Sequence, residues 1–169
     1  KNSAKQVRIL AILGDSAGID IEADKRLLAN LKDAQTVFLV EPQRRELNEQ
    51  LWDNQGWDIL FFAGHSSTQA DGGSGQIYIN PTESLTITQL KNALNEAIAR
   101  GLQLAIFNSC DGLGLARQLA DLHIPQMIVM REPVPDLVAQ EFLKYFLTEF
   151  AGGRSFDVAV RKARERLQG

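Results

Sequence analysis

The sequence predicts an α/β domain built on a doubly wound, mostly parallel sheet, and three observations carry that prediction. Short apolar runs alternate with longer segments of helical period, the signature of repeated strand–helix–strand units. One of the runs, Asp58 to Ala63, is almost continuously apolar, as a strand covered on both faces should be. The chain has 169 residues, which fits one domain at about 150 residues each. A chain of that size can bury about 70% of the surface its unfolded form exposes.

The elements follow in order. Val7 to Leu13 is β-rich and runs into Gly14-Asp15-Ser16-Ala17-Gly18, a turn. Ile21 to Leu31 carries Leu27, Leu28 and Leu31 at helical spacing behind an Asp20 cap. Thr36 to Val40 is the second strand, stopped by Pro42, and Arg44 to Trp52 is a short helix closed by Gly56. Trp52 and Trp57 flank the third strand, Asp58 to Ala63, and suit core or edge packing. A polar, glycine-rich loop from Ser66 to Gly75 leads into a small hairpin, Gln76 to Ile79 and Ser84 to Ile87, turning at Asn80-Pro81. Thr88 to Arg100 is a helix with Leu90, Ala93, Leu94, Ala97 and Ile98 on one face, closed by Gly101.

Leu102 to Phe107 is the fourth strand and Met127 to Met130 the fifth, joined by a helix from Leu113 to Leu122. Asp136 opens a long helix to Phe150, and Ser155 caps a last one ending near Leu167. Helical crossovers between the strands then imply a single domain, residues 1–169, with helices on both faces of the sheet.

Composition narrows the function. Hydrophobic residues make up 44% and charged residues 23%, ordinary globular values. With 18 Lys and Arg against 21 Asp and Glu, the net charge is −3, which gives no nucleic-acid footprint. The basic side chains of the last helix, Arg154, Arg161, Lys162, Arg164 and Arg166, suit a solvated outer face. No apolar run approaches the roughly 18 residues of a membrane span. The single cysteine excludes an internal disulfide and suits a reducing, cytoplasmic setting. No metal-ligand spacing stands out. The chain opens Lys1-Asn2-Ser3 without methionine, which points to a segment of a longer, multidomain protein.

In open parallel sheets, ligands and reactive groups gather beyond the carboxyl ends of the strands. That rule selects Asp15 and Ser16 after strand one, His65 after strand three, Cys110 after strand four, and Arg131 and Glu132 after strand five. If strands three and four are neighbours, His65 and Cys110 face one crevice. An imidazole can then activate the thiol as a nucleophile. The helix after Cys110 favours the thiolate through its dipole. The backbone N–H of Cys110, with one from the loop after His65, could serve a developing oxyanion. A lone cysteine at a strand end is also what a small buried hydrophobe looks like, and a loop histidine is often simply solvated. Residues alone leave both readings open. Gly14-Asp15-Ser16 is similar to a serine-esterase block, but Asp121-Leu122-His123 is one residue short of that family's Asp-x-x-His.

Phe61-Phe62-Ala63-Gly64-His65, followed by Phe107-Asn108-Ser109-Cys110-Asp111-Gly112, resembles the caspase-like cysteine peptidases. The resemblance is to the CHAT-domain branch, related to caspases, metacaspases and separases. The tail is similar too, through Val134-Pro135-Asp136, Ala139, Phe142, Phe146, Gly153-Arg154-Ser155 and Ala163-Arg164. It covers the chain from Val7 to Leu167 and implies a caspase-like sheet with strand order 2-1-3-4-5. The resemblance implies a His–Cys dyad, with His65 as general acid and base and Cys110 as nucleophile, acting without an organic cofactor. It implies an oxyanion hole at the N–H groups of Ser66 and Cys110. Two residues depart from the pattern: Ser66 stands where members commonly carry glycine, and Asn108 where metacaspase-type enzymes carry aspartate. Substrate preference is therefore open, with Asn108, Asp111, Glu132 and Asp136 as pocket candidates; Asp136 also suits a helix cap.

The expectation is thus a caspase-like cysteine endopeptidase acting on a protein or peptide substrate in signalling or regulated proteolysis. A catalytically silent caspase-like interaction module is the alternative, and a flavodoxin-like ligand-binding domain is a third that gives the dyad no role. No metal is expected at the dyad; a regulatory calcium, known in some relatives, is left open around Asp71. Partners expected besides substrate are a sensor or repeat domain in the same polypeptide and, because the sixth strand of caspase-like sheets is missing here, a second copy pairing through strand five.

Overall fold

The alternation of apolar strands and amphipathic helices produces the sheet it predicts. The computed structural model describes residues 6–15, 21–68, 75–109, 113–129 and 136–168. In chain order the elements are β1 (Val7–Leu13), α1 (Ile21–Ala29), β2 (Ala34–Val40), α2 (Arg44–Leu51), β3 (Ile59–Ala63), β4 (Ser66–Thr68) and β5 (Gly75–Asn80). There follow β6 (Glu83–Thr86), α3 (Ile87–Ala99), β7 (Leu104–Asn108), α4 (Leu113–Ala120), β8 (Gln126–Val129), α5 (Asp136–Ala151) and α6 (Phe156–Gln168). The main sheet is parallel in the order β2-β1-β3-β7-β8, the expected 2-1-3-4-5. Among the described residues β8 forms one edge and β2 the other.

All five residues of β3 are buried, as are the last five of β1. Side chains alternate across the pleat, so each strand feeds two cores. On one face Leu10, Ile12, Leu60, Phe62, Ala105 and Phe107 pack with Leu47 and Leu51 of α2, Leu94 of α3 and Leu115 and Leu119 of α4. On the other, Ile9, Ala11, Ile59, Phe61, Leu104 and Ile106 pack with Leu28 of α1, Leu143, Phe146 and Leu147 of α5, and Ala159 and Ala163 of α6. Handedness explains the division. The chain moves from β1 outward to β2, then returns past β1 to β3, β7 and β8. Right-handed crossovers therefore set α1 on one face and α2, α3 and α4 on the other. The reversal of direction falls between β1 and β3, and the carboxyl ends of the strands at such a switch point are where doubly wound sheets collect their ligands.

Three details differ from the sequence reading. The stretch after His65 is not all loop: Ser66–Thr68 forms β4, and the expected hairpin is a three-stranded antiparallel sheet in the order β4-β5-β6. Ser-Ser-Thr offers no apolar alternation, so only its pairing with β5 makes it a strand. Ile87 belongs to α3 rather than to the hairpin, because Thr86 caps that helix. Its Oγ1 accepts from the Gln89 N–H at 3.1 Å, and Gln89 Oε1 accepts from the Thr86 N–H at 2.9 Å, a reciprocal capping box. Trp57 is buried in the core with Nε1 donating to the Gln50 carbonyl at 2.7 Å, whereas Trp52 is exposed. Among the described residues no helix is long and apolar enough to cross a membrane.

Candidate active site

The last paired residues of β3 and β7 are Ala63 and Asn108. His65 and Cys110 each lie two positions further along the sequence. Adjacent strands stand about 4.8 Å apart, and no strand intervenes between these two. Cys110 itself, with Asp111, lies outside the described residues, as do Ser16, Asp20, Asp71, Arg131 and Glu132. Asp136 is the first residue of α5; its side chain is outside the description too.

His65 is half-buried and its backbone is held from two sides. Its N–H donates to the Asp15 carbonyl at 3.0 Å, and its carbonyl accepts from the Tyr78 N–H at 3.0 Å. Asp15 closes the ring by donating its own N–H to the Tyr78 carbonyl at 2.8 Å. Three chain segments converge here, and glycine permits it. A Cβ on Gly14 would sit 2.2 Å from the Tyr78 carbonyl oxygen. Gly64 has a φ of +153°, and a Cβ there would meet Phe62 and the Asp15 carbonyl at about 3.0–3.1 Å. The Gly14-Asp15 turn thus works as a backbone cradle for the histidine.

Ser66 stands opposite Ile77 in the β4–β5 pair. The bond from the Tyr78 N–H to the His65 carbonyl makes that pair the non-hydrogen-bonded type, which turns the Ser66 N–H away from β5. The Ser66 hydroxyl donates to Ser109 Oγ at 2.6 Å, and Ser109 is 6% exposed. Asn108, half-buried at the end of β7, donates through Nδ2 to both carboxylate oxygens of Asp24, at 3.2 and 3.4 Å. Asp24 lies on α1 and is only 2% exposed. Among the described residues no cluster of three or more His, Cys, Asp or Glu side chains could hold a metal ion. A cleft of about 950 Å³ opens at the opposite, amino edge of the sheet, beside Asp58, Gln103 and Gln126; among the described residues, none of the predicted site residues lines it.

The family model of the CHAT domain matches residues 3–169, nearly the whole chain. The chain belongs to the CHAT-domain family. That family lies within the caspase-like superfamily, and the parallel sheet order agrees with it. No curated protein matches the chain.

Sequence reasoning about this CHAT domain missed Asp24 and Ser109. Asp24 had a readable signal: it is four residues before Leu28, so a carboxylate sits in the buried stripe of α1. A buried charge in such a stripe needs a polar partner nearby. Ser109 gave none, because its partner is 43 residues away. Asp24→Ala should lower stability by about 1–3 kcal/mol, since the Asn108 amide loses its acceptor in a part-buried setting. Urea unfolding measures this, and an unchanged midpoint would mean that water replaces the carboxylate.

Proposed function

We propose that this CHAT domain is a cysteine endopeptidase in which Cys110 is the nucleophile and His65 the general acid and base. The observation that carries the reading is the in-register pairing of β3 with β7 through Ala63 and Asn108, since both residues follow those positions by two. His65 takes the thiol proton, and the thiolate attacks the scissile carbonyl carbon. The resulting oxyanion is met by backbone N–H groups of Ser66 and Cys110; the outward turn of the Ser66 N–H supports its share. The imidazolium returns its proton to the leaving amine, which departs as the C–N bond breaks. Water, deprotonated by His65, then hydrolyses the thioester and restores the thiol. The short helix α4, three residues after Cys110, favours the thiolate through its dipole.

The substrate is a protein or peptide whose side chain before the scissile bond reaches Asn108, with Asp111, Glu132 and Asp136 as further pocket candidates. The domain acts in the cytoplasm in regulated proteolysis, under a sensor or repeat domain of the same polypeptide. Labelling with an electrophilic peptide probe tests the reading directly, because Cys110 is the single thiol. Fast labelling that His65→Ala slows to the rate of an ordinary thiol supports the enzyme. Labelling no faster than free cysteine in the unmodified domain would replace it with the silent interaction module.

A further inference from the structure

β4 is made of Ser66, Ser67 and Thr68, a composition that pays no hydrophobic dividend, yet each hydroxyl has an assigned partner. Ser66 and Thr68 share one face of the strand, because side chains alternate with period two. Ser66 donates to Ser109 Oγ at 2.6 Å, and Thr68 Oγ1 accepts from the Gly114 N–H at 3.1 Å, at the start of α4. Ser67, on the other face, turns back into the small sheet and accepts from Gln76 Nε2 at 3.1 Å. A further tie runs from the Gly75 N–H, opposite Thr68, to Gln118 Oε1 of α4 at 2.8 Å. The fit there is close, for a Cβ on Gly75 would stand 2.3 Å from the Leu115 backbone nitrogen.

The residue after His65 is therefore bonded to the residue before Cys110. We propose that Ser66 and Ser109 are positioning residues, a hydroxyl clasp that holds the histidine loop against the strand end carrying the cysteine. This inference rests on the dyad reading above. A serine in the place where family members commonly carry glycine then has a use: it leaves the backbone N–H in position and adds a side-chain tie across the site. The clasp lies in the seam between the β4–β6 sheet and α4, so the thiol–imidazole geometry depends on that seam staying closed. Ser109 is nearly fully buried, so water competes poorly for its hydroxyl.

The test is the pH profile of iodoacetamide alkylation of the single thiol in the unmodified domain, Ser66→Ala, Ser109→Ala, the double variant and His65→Ala. Each serine variant should alkylate about tenfold more slowly near pH 6.5, with its midpoint moved toward the ordinary thiol value of about 8.5. The double variant should be no slower than the slower single one, because a single shared bond is lost only once. Unchanged profiles in both single variants, or losses that add in the double one, would overturn the clasp while leaving the dyad standing. If His65→Ala alkylates as fast as the unmodified domain, the dyad reading fails and the clasp fails with it. Thermal unfolding of each variant, compared with the unmodified domain, confirms that the profiles compare folded proteins.

Discussion

Cys110→Ala is expected to abolish peptide hydrolysis, and His65→Ala to reduce it by about 10²- to 10⁴-fold, the usual contribution of a positioned general acid–base. Neither change should unfold the domain. The bonds that hold the histidine segment, to Asp15 and Tyr78, are made by backbone groups and survive removal of the imidazole. Stability should therefore move by no more than about 1 kcal/mol. Hydrolysis of a peptide library together with thermal denaturation measures both quantities. Turnover by Cys110→Ala at the full rate would sink the mechanism, and a large loss of stability in that variant would make Cys110 a packing residue instead.

The largest effect on stability is expected on the face away from α2, α3 and α4. Phe146 of α5 is fully buried, with ring centroids of Phe142, Phe150 and Phe156 at 6.0, 5.5 and 5.6 Å. It joins α5 to α6 over the centre of the sheet, where Ile59, Phe61 and Ile106 also pack. Phe146→Ala should cost about 3–5 kcal/mol, the transfer term plus the cavity left behind. That is a large share of the roughly 5–15 kcal/mol that holds a domain together. At about 2–4 °C per kcal/mol for a domain of this size, the melting temperature should fall by on the order of 10 °C. Below that temperature the alkylation profile of the thiol should be unaltered, because the aromatic cluster packs on the face opposite α4, the helix to which β4 is tied. A loss under about 1 kcal/mol would mean that the two helices repack around the gap.

Much of this protein is legible in its amino-acid order because the relevant signals are local. The apolar runs of β1 and β3, the amphipathic periods of α3 and α6, and the helical crossovers together specify a parallel sheet covered on both faces, and the resemblance carried by the motifs implies its order 2-1-3-4-5. The placement of His65 and Cys110 after consecutive inner strands is equally local, and the motifs around them name the family. Boundaries were less legible where two local rules compete. Ile87 suits a strand by propensity, but the Thr86–Gln89 capping box assigns it to a helix. What only the tertiary structure decided lies between segments distant in sequence. β4 is a strand because β5 supplies the other half of its ladder, not because Ser-Ser-Thr favours extension. Asp24 stays buried on α1 with Asn108, 84 residues away, as one donor to its carboxylate. Ser66 reads as a lost glycine until Ser109 is placed beside it. Hydrophobic period and capping act within a few residues and so are written along the chain, whereas a hydrogen bond between buried polar groups has its meaning only once folding has brought both partners together.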